Sequence, residues 1–266
     1  MKWLKRILIT LLILILLPIL FLAGFIIYDA NTSVTAAEFT NMQFTDAEGN
    51  THNGYLAQPE GPGPHPGILL IHEWWGMNAG IPILADALAA EGYVVLAADA
   101  LQGRSTSSVP RALWMAITTP EEKVFADVDA ALAHLLSMGN VDTERVASMG
   151  FCFGGGHSLQ LGLRQSQSLA LTVIYYGAVV TEPELLRPLV DGQPVLGIFA
   201  EEDQQILPEE VLEFEAALNS LEIDNQITIY EGVGHGFLNE ENYKEPGPAG
   251  DAWQETLAFL EETLKR

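Results

Sequence analysis

Ala147-Ser148-Met149-Gly150-Phe151-Cys152-Phe153-Gly154-Gly155-Gly156 is an apolar run that ends on a nucleophilic side chain framed by glycines. Gly-x-Cys-x-Gly has the form of a nucleophile elbow, with cysteine where serine is usual. A sharp strand-to-helix turn crowds the backbone around its central residue, so small residues are needed two before and two after it. Gly150 and Gly154 stand at those places. The competing reading makes Cys152 a buried core thiol in a glycine-rich turn. The elbow reading predicts a strand over 145–150 and a helix over 154–164.

Outward from the elbow, the same alternation repeats. Gly67-Ile68-Leu69-Leu70-Ile71 and Tyr93-Val94-Val95-Leu96-Ala97-Ala98-Asp99 are largely apolar runs, as expected of strands covered on both faces. Further strands are predicted over 170–176, 195–199 and 226–230, and helices over 81–90, 121–138, 209–221 and 252–264. Residues 39–44 and 52–57 read as two strands around a turn, 59–66 as a rigid proline-rich loop, and 101–119 as a partly helical connection. Strands alternating with helices predict an α/β domain over 39–266, a mostly parallel sheet with helices on both faces. In such sheets chemistry gathers at the carboxyl ends of the strands.

Two loops at such ends carry the remaining chemistry. Glu201-Glu202-Asp203 follows one predicted strand, and Gly234-His235-Gly236-Phe237 follows the next. A thiol needs a base, and the base needs an orienting acid. Nucleophile, acid and histidine, each after a successive strand, is the chain order of the α/β-hydrolase triad. Cys152, Asp203 and His235 are the candidates, with Glu201 and Glu202 as alternatives for the acid. His52, His65, His134 and His157 read as surface or helix residues. Glu73 ends the strand at 67–71, where its carboxyl can hold or accept a proton, or be a solvated loop group. His72-Glu73 lacks the second histidine of a zinc motif, and no phosphate-binding Gly-x-x-x-x-Gly-Lys loop exists. No metal or cofactor is therefore expected.

The motifs His72-Glu73-Trp74-Trp75-Gly76-Met77-Asn78, Ala98-Asp99, Gly150-Phe151-Cys152-Phe153-Gly154-Gly155 and Gly234-His235-Gly236-Phe237 resemble those of the dienelactone hydrolase family of α/β-hydrolases. The likeness runs from about residue 39 to the C-terminus. It implies Cys152 as nucleophile, His235 as base, Asp203 as acid, and Glu73 as the glutamate that helps generate the thiolate. Backbone N–H groups of Trp74 and Phe153 would form the oxyanion hole. Trp74, Trp75, Phe153 and Trp114 could wall an apolar pocket or simply pack in the core; Trp75 and Trp114 are the pocket candidates. One position departs from the family. Its dienelactone-cleaving members carry a substrate-binding arginine four residues after the histidine, and here that residue is Asn239, followed by Glu240 and Glu241. A second arginine would precede Leu113-Trp114, where only Arg104 and Arg111 lie nearby. A neutral ester, lactone or thioester suits this acidic surround.

With 12 basic and 35 acidic residues the chain carries a formal charge of -23, which excludes nucleic acid as a partner. The N-terminus differs from the rest. Lys2, Lys5 and Arg6 precede an apolar run from Ile7 to Tyr28, long enough for a transmembrane helix. Residues 1–30 are read as an uncleaved membrane anchor and 31–38 as a tether, with the domain on the extracytoplasmic side. Cleavage near Thr35-Ala36-Ala37 would instead release a secreted protein. One cysteine allows no internal disulfide, so Cys152 is not a structural staple. The expected activity is hydrolysis through an acyl-enzyme. A binding module on the same scaffold and an acyltransferase are the alternatives.

Overall fold

The computed structural model describes residues 2–32, 35–190 and 192–265. Its elements in chain order are α1 (Lys2–Thr32), β1 (Met42–Thr45), β2 (Thr51–Ala57), β3 (His65–Ile71), α2 (Gly80–Ala90), β4 (Val94–Ala98), α3 (Val109–Thr118), α4 (Glu121–Ser137) and β5 (Val141–Phe151). They continue with α5 (Phe153–Arg164), β6 (Leu171–Tyr175), α6 (Pro183–Leu186), β7 (Val195–Ala200), α7 (Pro208–Ser220), β8 (Asn225–Tyr230) and α8 (Pro248–Leu264).

All eight strands form one sheet in the order β1-β2-β4-β3-β5-β6-β7-β8. The β1–β2 and β2–β4 pairs are antiparallel, and every pairing from β4 to β8 is parallel. The apolar runs are continuous because both sheet faces are covered. In β3, Ile68 and Leu70 pack in a core with α2 and α8, whereas Leu69 and Ile71 pack in a second core with α4. A third core joins β6 and β7 to α7 through Ile174, Val195, Phe199 and Phe214.

This topology is the α/β-hydrolase arrangement expected from the sequence. It puts the turns after β3, β5, β6, β7 and β8 along one edge of the sheet. Each turn there contributes to the site.

Helix α1 contains an apolar span, Lys5–Tyr28, with mean hydropathy 3.0 and no part of it buried. It is long and apolar enough to cross a membrane or to serve as a signal sequence. The helix continues to Thr32. Residues 33 and 34 of the expected tether lie outside the described residues. The later part of the tether is held by the domain: Thr35 bridges to Arg104, and Ala36 is buried in the core beside α2.

Candidate active site

The elbow is built by close approach. Cys152 sits at φ 53°, ψ −114°, between the last residue of β5 and the first of α5. Only L-residues under strong local constraint hold such a conformation. A Cβ on Gly150 would lie 2.0 Å from the Gly154 carbonyl oxygen, and one on Gly154 would lie 2.2 Å from that of Ile71. No side chain fits either gap. The Cys152 N–H donates to the Tyr175 carbonyl at 2.9 Å, tying the turn to β6.

The histidine comes from the loop after β8. His235 Nε2 lies 3.0 Å from Cys152 Sγ, and its Nδ1 lies 2.7 Å from Asp203 Oδ2. The carboxylate can only accept there, so Nδ1 carries the hydrogen and Nε2 is left bare toward the thiol. Asp203 is buried, and its other oxygen accepts the N–H groups of Gln205 (2.7 Å) and Ile206 (3.1 Å). The neighbouring acids are turned elsewhere. Glu201 accepts from the Gly232 N–H at 3.0 Å, and Glu202 is exposed.

Burial and the nearby Glu73 carboxylate push the Cys152 thiol up to about 12, against the opposing pull of two backbone N–H groups directed at its sulfur. Those donors are Phe153 and Trp74, the two N–H groups expected at the oxyanion hole. Glu73 is itself pushed up to about 7, first by burial and then by Glu240. Its position depends on His72, which is fully buried. His72 Nδ1–H donates to the Glu73 carbonyl at 2.6 Å, while Nε2 accepts the Ala100 N–H at 3.1 Å. Both bonds need a neutral ring, in keeping with the downward shift that burial imposes on His72.

A cavity of about 380 Å³ opens over the thiol. Trp74, Phe153, Tyr176, Gln205, Ile206 and Ala116 are in its wall, together with Cys152 and His235, and among the described residues no lysine or arginine lines it. Trp75 packs edge-on against Trp74 at 5.0 Å and lines a neighbouring cavity with Phe39 and Glu240. Trp114 is not in the wall. It lies on the outer side of α3, because that helix turns Ala112 and Met115 to the core and Ala116 to the cavity.

Several residues were not evident from sequence. Tyr176 is fully buried, packs edge-on against the His235 ring at 5.2 Å and donates to the Leu238 carbonyl at 2.9 Å. Its place just after β6, beside the elbow, was the available signal. His157 also lines the cavity, its pKa lowered to about 4 first by burial and then by Arg164. His52, read as a surface or helix residue, is instead a buried strand residue between Asp46 and Asp127, because it points inward in β2.

Four residues after His235, where the dienelactone-cleaving relatives carry an arginine, stands Asn239. The Asn239 side-chain oxygen accepts the Glu241 N–H at 2.9 Å, within its own loop. Arg104 donates to the Leu101 carbonyl and to the Thr119 hydroxyl.

A model of the dienelactone hydrolase family matches residues 52–264. The chain belongs to the dienelactone hydrolase family. "Protein usf" of Aquifex pyrophilus is 30% identical over 223 residues, covering 79% of this chain and 93% of that protein. A "Putative carboxymethylenebutenolidase" of Aquifex aeolicus is 28% identical over 223 residues, covering 80% and 94%. Among solved structures, a "Putative Dienelactone Hydrolase" from Klebsiella pneumoniae superposes with a TM-score of 0.69 at 27% identity, covering 83% of this chain and 99% of that one. As a member of this family, the protein is a hydrolase of ester and lactone bonds.

Proposed function

We propose that the bond is cleaved by covalent catalysis through Cys152, His235 and Asp203. The reading is carried by one observation, the continuous path from sulfur to imidazole to buried carboxylate at 3.0 and 2.7 Å. The S–H proton passes to His235 Nε2, and Asp203 steadies the imidazolium. The sulfur attacks the carbonyl carbon, and the Trp74 and Phe153 N–H groups receive the oxyanion. Collapse expels the alcohol oxygen, which takes the proton back from Nε2. A water then gives its proton to His235 and attacks the thioester, and the thiol leaves protonated. Glu73 tunes the resting charge beside the sulfur: above about pH 7, where it is ionised, its charge adds to the burial that keeps the thiol neutral between turnovers.

The substrate is a neutral ester, lactone or thioester. Asn239 supports this, as does a cavity wall with no lysine or arginine, since a substrate carboxylate would find no cationic partner. Helix α1 is a retained membrane anchor, and the basic residues at its start, Lys2, Lys5 and Arg6, keep its N-terminus in the cytoplasm and the domain outside.

The test is hydrolysis of a chromogenic short-chain acyl ester by the full chain beside Cys152→Ala. Turnover in the first and its loss in the second is the expected result. Equal turnover in both would overturn the nucleophile.

A further inference from the structure

Helix α3 turns its apolar side to the outside. Val109, Leu113, Trp114 and Ile117 are 56, 50, 67 and 73% exposed. Positions 109, 113 and 117 form one stripe on a helix of 3.6 residues per turn, with Trp114 beside it. Among the described residues outside α1, the other exposed large apolar side chains are scattered over α2, α6, α7 and loops. In a chain with 35 Asp and Glu, α3 contains none. Contiguous exposed apolar surface of this kind marks a site of contact.

The chain's own connectivity says what lies opposite. Three peptide steps separate Thr32, the end of α1, from Thr35, which pairs with Arg104. The apolar span ends four residues earlier, at Tyr28, so Thr35 lies within about 16 Å of the hydrocarbon boundary at full extension. Arg104 leads from there to α3. Its guanidinium donates to the Thr119 hydroxyl, which donates to the Met115 carbonyl in the last turn of the helix, beside Ile117.

Resting on the reading of α1 as a retained anchor, we propose that the exposed stripe of α3 docks on the surface of the bilayer that holds α1. The occupant is a zwitterionic lipid surface, because a domain this acidic is repelled by an anionic one. An amphipathic helix with Trp on its apolar face suits the lipid–water boundary. Ala116, seven residues after Val109 and three after Leu113, flanks the stripe on the same helix and is in the wall of the catalytic cavity. Docking therefore sets that cavity beside the lipid, where acyl esters dissolved in the bilayer reach it without crossing water.

The mass-verified full chain is reconstituted in phosphatidylcholine vesicles with plain or brominated acyl chains. Tryptophan emission is read for Trp3→Phe and for Trp3→Phe/Trp114→Phe, and their difference isolates Trp114. Loss of that difference signal in brominated vesicles is expected, together with its return in Trp3→Phe/Leu113→Glu/Ile117→Glu. In the activity arm, Leu113→Glu/Ile117→Glu is expected to lower hydrolysis of a vesicle-dissolved long-chain ester about tenfold, the weakening expected when large apolar side chains no longer dock. A short water-soluble ester, whose turnover depends on Cys152, is hydrolysed at the unchanged rate.

A Trp114 signal indifferent to bromine overturns the docking, whether the chain is monomeric or paired through α3 by photobleaching counts. Loss of the soluble-ester activity in Cys152→Ala, with Trp114 still unquenched, would leave the catalytic reading standing and sink only the docking. Quenched Trp114 with undiminished soluble-ester hydrolysis in Cys152→Ala would do the reverse.

Discussion

Two histidines in this molecule each rest Nδ1 on a buried aspartate, and they differ in what faces the other nitrogen. His235 has Asp203 at 2.7 Å and the Cys152 sulfur at 3.0 Å. His52 has Asp127 at 2.8 Å and Asp46 at 3.0 Å. With a carboxylate at each end, both nitrogens of His52 can donate, which favours the imidazolium. Burial works against that charge, but the two aspartates outweigh it and the His52 pKa is raised. While charged, such a ring has no bare nitrogen to take a proton. It clamps the turn between β1 and β2 to α4, at the same edge of the sheet as the elbow but with β4 and β3 between them. An aspartate–histidine pair is therefore not a catalytic signature by itself. What sets the His235 pair apart is the bare nitrogen facing a thiol and a cavity, which the proposed mechanism uses.

Exchanging what faces each Nε2 tests this contrast, and the largest effect is expected at the elbow. Cys152→Ala or His235→Ala should lower kcat/KM for a short ester by at least about 10³-fold, as for other members of covalent triads. Asp203→Asn, which disturbs the Nδ1–H orientation, should cost roughly 10²–10⁴-fold. Its circular dichroism spectrum should stay unchanged, and a near-native rate would break the analogy.

Glu73→Gln acts through charge. The Glu73 pKa is raised in the fold, to about 7 from 4.5, so its proton stabilises the native state fully below pH 4.5, and that contribution is lost as pH rises through 7. The variant should be more stable than wild type above pH 7, by about 3 kcal/mol in urea titrations, and equal to it near pH 4. Its pH–rate profile should lack an inflection near 7.

The clamp should respond in the opposite way to the triad. His52 has its pKa raised above 6.5, and its contribution is complete below that value and lost as pH rises through the folded one. Asp46 has its pKa lowered, by hydrogen bonds first from His52 and then from Asn50, and its contribution is complete above 3.8. His52→Gln should therefore destabilise most between about pH 4 and 6.5, by about 2 kcal/mol. Thermal melts at pH 5.5 and 8 check this, with kcat/KM unchanged at either pH.

The readability of the sequence divides along the same line. The apolar runs of β3 and β4 were legible because strands covered on both faces need no alternation. The elbow was legible because its glycines and its nucleophile lie within five residues. The candidate acid was less so: Glu201, Glu202 and Asp203 are adjacent, and composition cannot say which one the turn after β7 aims at His235. The outward face of Trp114 depends on what packs against α3, which no local pattern encodes. His52 and Asp127 stand 75 residues apart, and the inward side of β2 decides their meeting. The loss of the family arginine was visible at Asn239. Its redirection into its own loop was not.

The high pKa of the Cys152 thiol also governs how the protein ages. Peroxides and electrophiles attack thiolates, and a sulfur at about 12 is almost entirely protonated at neutral pH. No second cysteine exists in the chain to trap a sulfenic acid as a disulfide, so further oxidation runs to irreversible products. In the proposed mechanism charge reaches the sulfur only during turnover. The molecule is thus expected to keep its activity through idle exposure to oxidant and to lose it in proportion to the number of acyl groups it has processed.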